Sequence, residues 1–425
     1  MVSTGRQDIY LTGNPQTTWF KQVYRRYTNF SIETQRIPLE TAVDFNKLVT
    51  CTIPRSGDLL SQLMLEIRLP MLTATGPDVS SSCSGVSTVT PIDYQNVTTT
   101  HSWVNGIGHA MIDYISIMIG QQEIDRQYGE WMHIWTQLST PGAKVNGIYN
   151  MIGQQEVYTE STQPGPLRLF IPLRFWFCNN IGLSLPLIAL QSTPIRLYIK
   201  FKNGNDMVFS TTLAENPCQQ LERPPTIGDI TLWGDFVYLD TEERKRFTAS
   251  KHEYLIEQVQ TVRRYAIPQN AVNVSIPLTF NHPLKEIVWV VQQDRMVAGH
   301  EWFNYGSRML NEFGIPNIDL INSAVLQFDG YDRFERQSAQ YFRLVQPWQR
   351  HTAIPNDFIY VYSFSLAPEA AQPQGSCNAS RLDSIVLQVE MNSSVQSRSA
   401  GVTVYATNYN VLRVVAGLGG LLFTV

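Results

Sequence analysis

A set of short sequence landmarks occurs twice in this chain, in the same order, at a spacing of about two hundred residues. A single pair would be a chance match, so the evidence for an internal duplication is the shared order of the pairs. The pairs are Tyr10-Leu11 with Tyr238-Leu239, 30–33 with 254–257, 125–127 with 335–337, Cys178-Asn179 with Cys377-Asn378, and Leu197-Tyr198 with Val404-Tyr405. The sequence therefore predicts two similar domains in tandem.

Apolar residues alternate with polar ones through much of the chain, which is typical of half-buried β-strands. In the first half the predicted strands lie at residues 30–35, 48–53, 63–69, 114–119, 123–127, 167–177, 185–190 and 195–202. In the second half they lie at residues 275–280, 286–291, 325–328, 359–366, 385–391 and 402–405. Polar turns separate them, and strands do not alternate with helices. This pattern predicts an all-β fold of two tandem eight-stranded antiparallel jelly rolls, with short helices and long surface loops.

Composition and spacing divide the chain into four segments. They are an N-terminal arm at 1–24, a first jelly roll at 25–215, a proline-rich linker at 216–228 and a second jelly roll at 229–425. Two long segments, 71–109 and 294–322, occupy matching places in the two halves. Because loops of this length usually carry function, we expect both to rise from one end of a roll.

The arm has the pattern of a short amphipathic helix. Asn14 can cap its start, with Pro15 as the first helical residue. Its apolar face consists of Trp19, Phe20, Val23, Tyr24 and Tyr27. A second helix is predicted after Asp240, where Glu243 completes a capping box. The arm therefore presents an apolar face that needs a partner.

The composition favours association. Of the 425 residues, 16% are charged and 11% are aromatic, whereas about 25% are charged in an average soluble domain. A surface with few charges and many aromatic side chains favours contact with other molecules. The formal net charge of −4 gives no electrostatic reason to expect nucleic-acid binding. Arginine–tyrosine clusters at 24–27 and 263–265 are therefore interpreted as a solvated helix face and as cross-strand pairs.

The first residues and the cysteines bear on the compartment. The N-terminus lacks the apolar core of a secretory signal, and no apolar run is long enough for a membrane-spanning helix. The five cysteines are scattered without metal-binding or redox spacing, so we expect free thiols in a reducing compartment. Asn96, Asn273 and Asn378 begin Asn-x-Ser/Thr sequons and are candidate glycosylation sites, although without a secretory signal chance explains them more simply.

Enzyme motifs are incomplete in this chain. His252-Glu253 begins a zinc-protease motif, but Ile256 stands where the second histidine is required. The glycines at 417, 419 and 420 lack the spacing of a nucleotide-binding loop and are interpreted as a flexible tail. Asp125 and Glu335 occupy equivalent points of the two halves, so we interpret them as repeated structural acids rather than as a catalytic pair. We expect no catalytic residue, no metal site and no cofactor.

Ten longer segments, spread over nearly the whole chain, together form a combination that is specific enough to indicate a protein family. They are 8–16, 24–33, 175–180, 185–190, 238–244, 252–257, 281–283, 336–341, 346–348 and 405–412. Through them the chain resembles the double jelly-roll major capsid proteins of nucleocytoplasmic large DNA viruses, most closely the algal-virus and giant-virus branch. The segments 71–109 and 294–322 match nothing in that pattern.

The resemblance implies a structural protein, without enzyme activity, that forms homotrimers. Three copies of two similar rolls would make a pseudo-hexagonal capsomer that tiles the outer icosahedral shell of a large double-stranded DNA virus. The implied partners are neighbouring trimers, minor capsid and penton proteins and internal viral membrane proteins, with synthesis and assembly in the host cytoplasm. The resemblance also implies outward towers at 71–109 and 294–322. The arm at 1–24 would lie at the inner face, where we hypothesise that its apolar side chains dock.

Two alternatives stay open at this stage. A carbohydrate-binding or carbohydrate-processing protein on tandem β-sandwiches would stack its tryptophans and tyrosines on sugars. A minor or penton-like capsid paralogue would share the fold but is expected to have one roll, which the duplication disfavours. Particle mass in solution separates a trimer from a monomeric lectin.

Overall fold

The computed structural model describes residues 5–16, 24–72, 101–155, 166–210, 224–309, 312, 316–393 and 397–424. Most of the segment 71–109, the candidate glycosylation site Asn96 and the arm residues Trp19, Phe20 and Val23 lie outside the described residues, as does most of the predicted linker.

Strands dominate the structure. They are β1 (Phe30–Ile37), β2 (Leu48–Thr52), β3 (Leu59–Leu69), β4 (His101–Trp103), β5 (Ile112–Ile119), β6 (Gln122–Tyr128), β7 (Leu167–Pro172), β8 (Ile195–Phe201), β9 (Val208–Ser210), β10 (Asp229–Leu239), β11 (His252–Ile267), β12 (Asn273–Pro277), β13 (Pro283–Gln293), β14 (Ile321–Phe328), β15 (Tyr331–Asp332), β16 (Gln337–Ser338), β17 (Ile359–Ser363), β18 (Cys377–Asn378), β19 (Ile385–Met391), β20 (Ala400–Val415) and β21 (Leu418–Leu421).

Helices are short. They are α1 (Ile9–Thr12), α2 (Ile107–Ala110), α3 (Gly129–Ser139), α4 (Val145–Ile152), α5 (Trp176–Asn179), α6 (Thr241–Ala249), α7 (Asp294–Ala298) and α8 (Gln346–Arg350). A five-residue π-helix, Tyr341–Val345, runs directly into α8. Sequence reasoning did not predict α3, an eleven-residue helix that is buried along almost its whole length.

The two halves have the same strand order. In the first, the sheets run β1-β10-β3-β7 and β2-β8-β5-β6; in the second, they run β11-β20-β13-β17 and β12-β19-β14-β15. The second half adds β18 beside β13, β21 beside β20 and β16 beside β14. Two facing antiparallel sheets in this interleaved order are a jelly roll. The predicted fold class, two tandem jelly rolls with short helices, is confirmed.

The predicted boundary between the rolls is wrong in one respect. The strand β10, placed at the start of the second roll, pairs with β1 and β3 and completes the first roll's sheet. Its alternating residues Ile230, Leu232 and Phe236 are buried against the first core. The described part of the predicted linker, 224–228, therefore leads into the last strand of the first roll. The connection between the rolls is instead the segment containing α6, which begins after Asp240 as predicted, with the Asp240 carboxylate accepting the Thr241 N–H at 2.8 Å.

The arm helix does not begin at Pro15. Asn14 has φ of 51°, which is the left-handed region, whereas a helix N-cap needs extended backbone. The short helix α1 ends before it, at Thr12, and Pro15 and Gln16 are not helical. Tyr24 and Tyr27 lie in an exposed segment without regular structure.

Two strand predictions and one landmark pair also need correction. Residues 185–190 form a 3-10 turn at Leu187–Ala189, held beside β3 by backbone pairing of Leu185 with Leu60. The prolines on either side of that turn, at positions 186 and 194, disfavour a paired strand. The strand predicted at 167–177 ends at Pro172 and gives way to α5. Leu197-Tyr198 lies in β8, whose topological equivalent is β19, so its match with Val404-Tyr405 in β20 is wrong.

Candidate functional site: the contact between the rolls

The helix α3 of the first roll packs onto the outer face of the second roll. Trp131 and Trp135 are buried in the second roll's core cluster, although both precede β7 of the first roll. The Trp131 ring lies 5.4 Å from the ring of Tyr405 on β20, measured between centroids. The two rolls therefore share a hydrophobic contact, which α3 provides.

A single carboxylate fixes this helix on the second roll. Glu130 accepts hydrogen bonds from the hydroxyl groups of Tyr305, at 3.1 Å, and of Tyr405, at 2.7 Å. Burial, with the negative charge of Glu130 nearby, raises the pKa of both tyrosines well above the usual range. Both hydroxyls stay protonated donors, as buried polar groups require.

Charged groups lie next to α3 inside the second roll. The buried His351 ring is 3.1 Å from a Glu286 carboxylate oxygen and 3.0 Å from Glu369, and the Trp135 ring meets it edge-on. Burial alone would lower the pKa of His351, but the two carboxylates outweigh it and raise that pKa to about 9. The imidazole is therefore a cation at neutral pH. Lys285 forms a second ion pair with Glu257 at 2.7 Å.

The strand β6 provides a polar contact between the rolls. Asp125 Oδ1 accepts the backbone N–H of Val259 on β11 at 3.2 Å, and Oδ2 accepts from Gln127 at 2.6 Å. Burial raises the pKa of Asp125 to about 7. Gln258 also donates to the carbonyl of Ile124. The equivalent acid, Glu335, is exposed, so the structure does not bring the two acids together as a catalytic pair.

The C-terminal hairpin also bridges the rolls. The Gly417 carbonyl accepts the Ser192 N–H at 3.0 Å, and the Leu421 N–H donates to Gln122 Oε1 at 2.9 Å. A Cβ at Gly419 would lie 2.5 Å from a Leu190 methyl group. The interpretation of these glycines as a flexible tail is therefore wrong, because they allow close approach to the first roll.

The residues of the incomplete zinc-protease motif, His252 and Glu253, make structural contacts. His252 approaches the Phe247 carbonyl at 2.7 Å, and Glu253 pairs with Lys251 at 2.8 Å and with Arg413 at 3.1 Å. Across the described ranges, no group of three or more His, Cys, Asp or Glu side chains is placed to hold a metal ion. No helix in the same ranges is long and apolar enough to cross a membrane.

Two of the three candidate glycosylation asparagines are described. Asn273 is exposed at the start of β12, and Asn378 is exposed at β18, where its side-chain oxygen accepts the Ser380 N–H at 3.1 Å. Both are on the surface.

A set of large apolar side chains is left exposed. Besides the arm residues near Tyr10, it includes Leu344, Val345 and Trp348, which lie together on the π-helix and α8, and Trp348 is 72% exposed. Sequence reasoning missed this group. The sequence signal for this group was the apolar spacing around Trp348. That segment was used only as part of the resemblance to a family.

Comparisons with known proteins agree with this architecture. A family described as "Major capsid protein N-terminus" matches residues 18–240, and one described as "Large eukaryotic DNA virus major capsid protein" matches residues 243–420. The division between them falls within the connection that contains α6. The major capsid protein of Pyramimonas orientalis virus is 35% identical over 100% of this chain and 98% of its own length. That of Chrysochromulina ericina virus is 31% identical over 100% and 99%.

Solved structures show the same fold. The capsid protein of the PBCV-1 virus capsid superposes with a TM-score of 0.77 at 26% identity, covering 96% of this chain and 100% of its own. The Faustovirus major capsid protein superposes with a TM-score of 0.73 at 12% identity, covering 97% and 95%. The full-length relatives and the two family matches lead to one conclusion: this chain belongs to the major capsid proteins of large eukaryotic DNA viruses.

Proposed function

We propose that three copies of this chain form a pseudo-hexagonal capsomer, and that these trimers tile the outer icosahedral shell of the virion. The observation that carries the proposal is the identical strand order of the two rolls. Two similar blocks per chain make six around a threefold axis, and each block can then present the same kind of side to its neighbour. Exposed aromatic residues such as Tyr331 and Trp348 supply apolar surface for such contacts.

The mass of the particle in solution tests the proposal. Multi-angle light scattering on the full chain is expected to give three times 48.3 kDa, and negative-stain images are expected to show a hexagonal outline. A stable monomer at micromolar concentration would contradict the trimer. A monomer that is retained on a glycan column would favour the carbohydrate-binding alternative.

The orientation in the shell follows from the loops. The described part of 294–322 contacts the segment around β9, since His300 Nδ1 contacts the Val208 carbonyl at 2.8 Å and the Trp302 indole N–H donates to the Asp206 carbonyl at 2.8 Å. Val208 lies in β9, which pairs with β4, a strand within the segment 71–109, so the two long segments lie at the same end of the molecule. We assign this end of the molecule to the outside of the virion. Antibodies raised against peptides from 71–109 are expected to label intact particles.

The opposite end carries the partners that we propose for the inner face. The arm at 1–24 would contact minor capsid proteins or proteins of an internal viral membrane there, and penton proteins would fill the vertices. Tyr10 and Leu11 of the arm are nearly fully exposed, which supports an external partner. A chain without residues 1–24 is expected to form trimers but to assemble into shells poorly; unchanged shell assembly would contradict the role of the arm.

The remaining proposals concern chemistry and location. We expect the chain to act without catalysis and without a cofactor, and to be made and assembled in the host cytoplasm. Glycosylation at Asn96, Asn273 or Asn378 is tested by peptide mass spectrometry of virions, in which unmodified peptides at all three sites would reject it.

A further inference from the structure

The contact between the rolls has a defined composition on each side. The first roll contributes its strand β6 and the helical insert that follows, α3. The second roll contributes the outer face of the sheet that contains β13 and β20. On that face Glu286, Val288, Thr407 and Tyr405 point toward α3, since Val288 pairs with Tyr405 and Glu286 pairs with Thr407 across the two strands.

The helical insert and the face that receives it each have a topological equivalent in the other roll. The strands β3 and β10 of the first roll stand where β13 and β20 stand in the second, at the same positions in the sheet order. The π-helix Tyr341–Val345 and α8 stand between β16 and β17, as α3 stands between β6 and β7. The chain therefore carries a second copy of each half of the contact.

The second copy of the receiving face is open. On β3 and β10 the residues that point away from the core are Gln62, Met64, Glu66, Arg68, Thr231, Trp233 and Asp235, and apart from Glu66 all are exposed or half-buried. Their equivalents on the second roll, Val288 and Tyr405 among them, are buried beneath α3.

The open face has the composition of an interface. Glu66 is buried at its centre, where it accepts from the Trp233 indole at 2.8 Å and from Arg168 at 2.7 Å. The hydrogen bond from Trp233, followed by the contact with Arg168, lowers the pKa of Glu66, which keeps it ionised. Phe170 lies beneath the Arg168 guanidinium, 5.2 Å from it. Tryptophan, phenylalanine, methionine and arginine are the side chains enriched in protein interfaces.

The second copy of the insert is also open. Leu344, Val345 and Trp348 are exposed, whereas Trp131 and Trp135 of α3 are buried. The acids that precede the two inserts show the same contrast: Asp125 on β6 is buried against β11, while Glu335, just before β16, is exposed. The insert of the second roll and the outer face of β3 and β10 are therefore both left uncovered within the single chain.

We propose that the insert of the second roll, centred on Trp348, docks on the outer face of β3 and β10 of a second copy of this chain, and so repeats between chains the contact that α3 makes within one chain. The contact is heterologous, and a rotation of 120° closes it into a ring of three with no unpaired end. The inference rests on the trimer proposed above and names the surfaces that form it.

Site-specific cross-linking tests the location. A photoreactive benzophenone amino acid replaces Trp348 in the full chain, and mass spectrometry locates the adducts in purified trimers formed from isotopically labelled and unlabelled chains. Adducts are expected between chains, at residues of β3 or β10 or at the neighbouring Phe170. The matched control places the same amino acid at Ile181, an exposed apolar residue that belongs to neither surface, and is expected to give no adducts between chains on β3 or β10.

A pair of alanine variants tests the energetics. Buried tryptophans at interfaces are frequent binding hot spots, so Trp348→Ala is expected to raise the concentration at which trimers dissociate by at least tenfold, with Ile181→Ala changing it less than threefold. Near-ultraviolet circular dichroism verifies that both monomers are folded. Adducts on any other surface, or Trp348→Ala trimers as stable as those of the control, would overturn the inference while leaving the trimer intact. A wild-type chain that never forms trimers would instead reject the proposed capsomer.

Discussion

The two rolls share one strand order and differ in what covers their equivalent faces. The outer face of β13 and β20 is sealed by α3, with Tyr405 only 3% exposed. The outer face of β3 and β10 is open, with Arg68 and Trp233 accessible. The difference shows that the chain completes one of its two equivalent contacts within itself and leaves the other open. Under the docking proposed above, residues in equivalent places would serve stability in one roll and assembly in the other.

The largest expected effect separates these two roles. Trp131→Ala is expected to lower the free energy of unfolding by about 3–5 kcal/mol, because it leaves a cavity in the contact between the rolls. Trp348→Ala, which changes an exposed residue of the second insert, is expected to change the same quantity in the monomer by less than about 0.5 kcal/mol. Urea denaturation of monomeric protein measures both. Equal losses in the two variants would mean that the inserts are not specialised in this way.

The next largest effect is the pH dependence of the free energy of unfolding. The pKa of His351 is about 9 in the folded chain against about 6.5 when unfolded. The stabilisation is therefore fully present below pH 6.5 and is lost as the pH rises through 9, by up to about 3 kcal/mol. Thermal melts between pH 6 and 10 should show the midpoint falling over this window.

A matched variant assigns that fall to the imidazole. His351→Gln is expected to be less stable at pH 7, since it leaves the buried carboxylate of Glu286 without a cation, but to have a flatter pH profile. A wild-type profile that is flat from pH 6.5 to 9 would contradict the raised pKa of His351.

Much of this architecture could be predicted from the sequence because it follows from local patterns. Alternation with a period of two marks strands such as β8 and β19, in which buried apolar residues alternate with half-buried or exposed ones. The capped start of α6 was predicted correctly for the same reason, because Asp240 acts through a local hydrogen bond. The boundary error at β10 has the opposite cause. A jelly roll closes by pairing its last strand with its first, so that a contact between residues about two hundred positions apart decides where a domain ends.

The candidate site was harder to predict for a physical reason. The residues of α3 are buried only because the other roll lies over them, so its sequence shows apolar residues on all sides rather than one stripe. Nothing local indicates that Glu130 meets Tyr305 and Tyr405. Conversely, the arm pattern around Asn14 suggested a helix that the backbone there does not form. Patterns within one element predict that element, while contacts between rolls depend on two elements distant in the chain.

A smaller effect concerns the carboxylate that holds α3. In Glu130→Gln one of the two acceptor oxygens becomes an amide donor, so a buried tyrosine hydroxyl loses its partner at a cost of about 1–3 kcal/mol. Tyr405→Phe removes a donor and leaves Glu130 with Tyr305, so its loss should be smaller. Chemical denaturation compares the two variants. If Tyr405→Phe were the more damaging, the aromatic contact with Trp131, rather than the hydrogen bond, would be what Tyr405 supplies.

The smallest expected effect on stability concerns the C-terminal hairpin. Gly417 and Gly330 both have positive φ, at 81° and 84°, so alanine at either position costs about 1 kcal/mol in backbone strain. Only at Gly417 would the new Cβ also meet the other roll, at 2.7 Å from the Ser192 hydroxyl, whereas at Gly330 it would meet open space. Because the Ser192 side chain can rotate away, the extra loss at Gly417 is expected to be a few tenths of a kcal/mol. The difference between the two variants in thermal unfolding therefore measures how firmly the hairpin holds the first roll. If Gly417→Ala were no less stable than Gly330→Ala, the hairpin would not contribute to holding the rolls together. The contact between the rolls would then depend on α3 and β6.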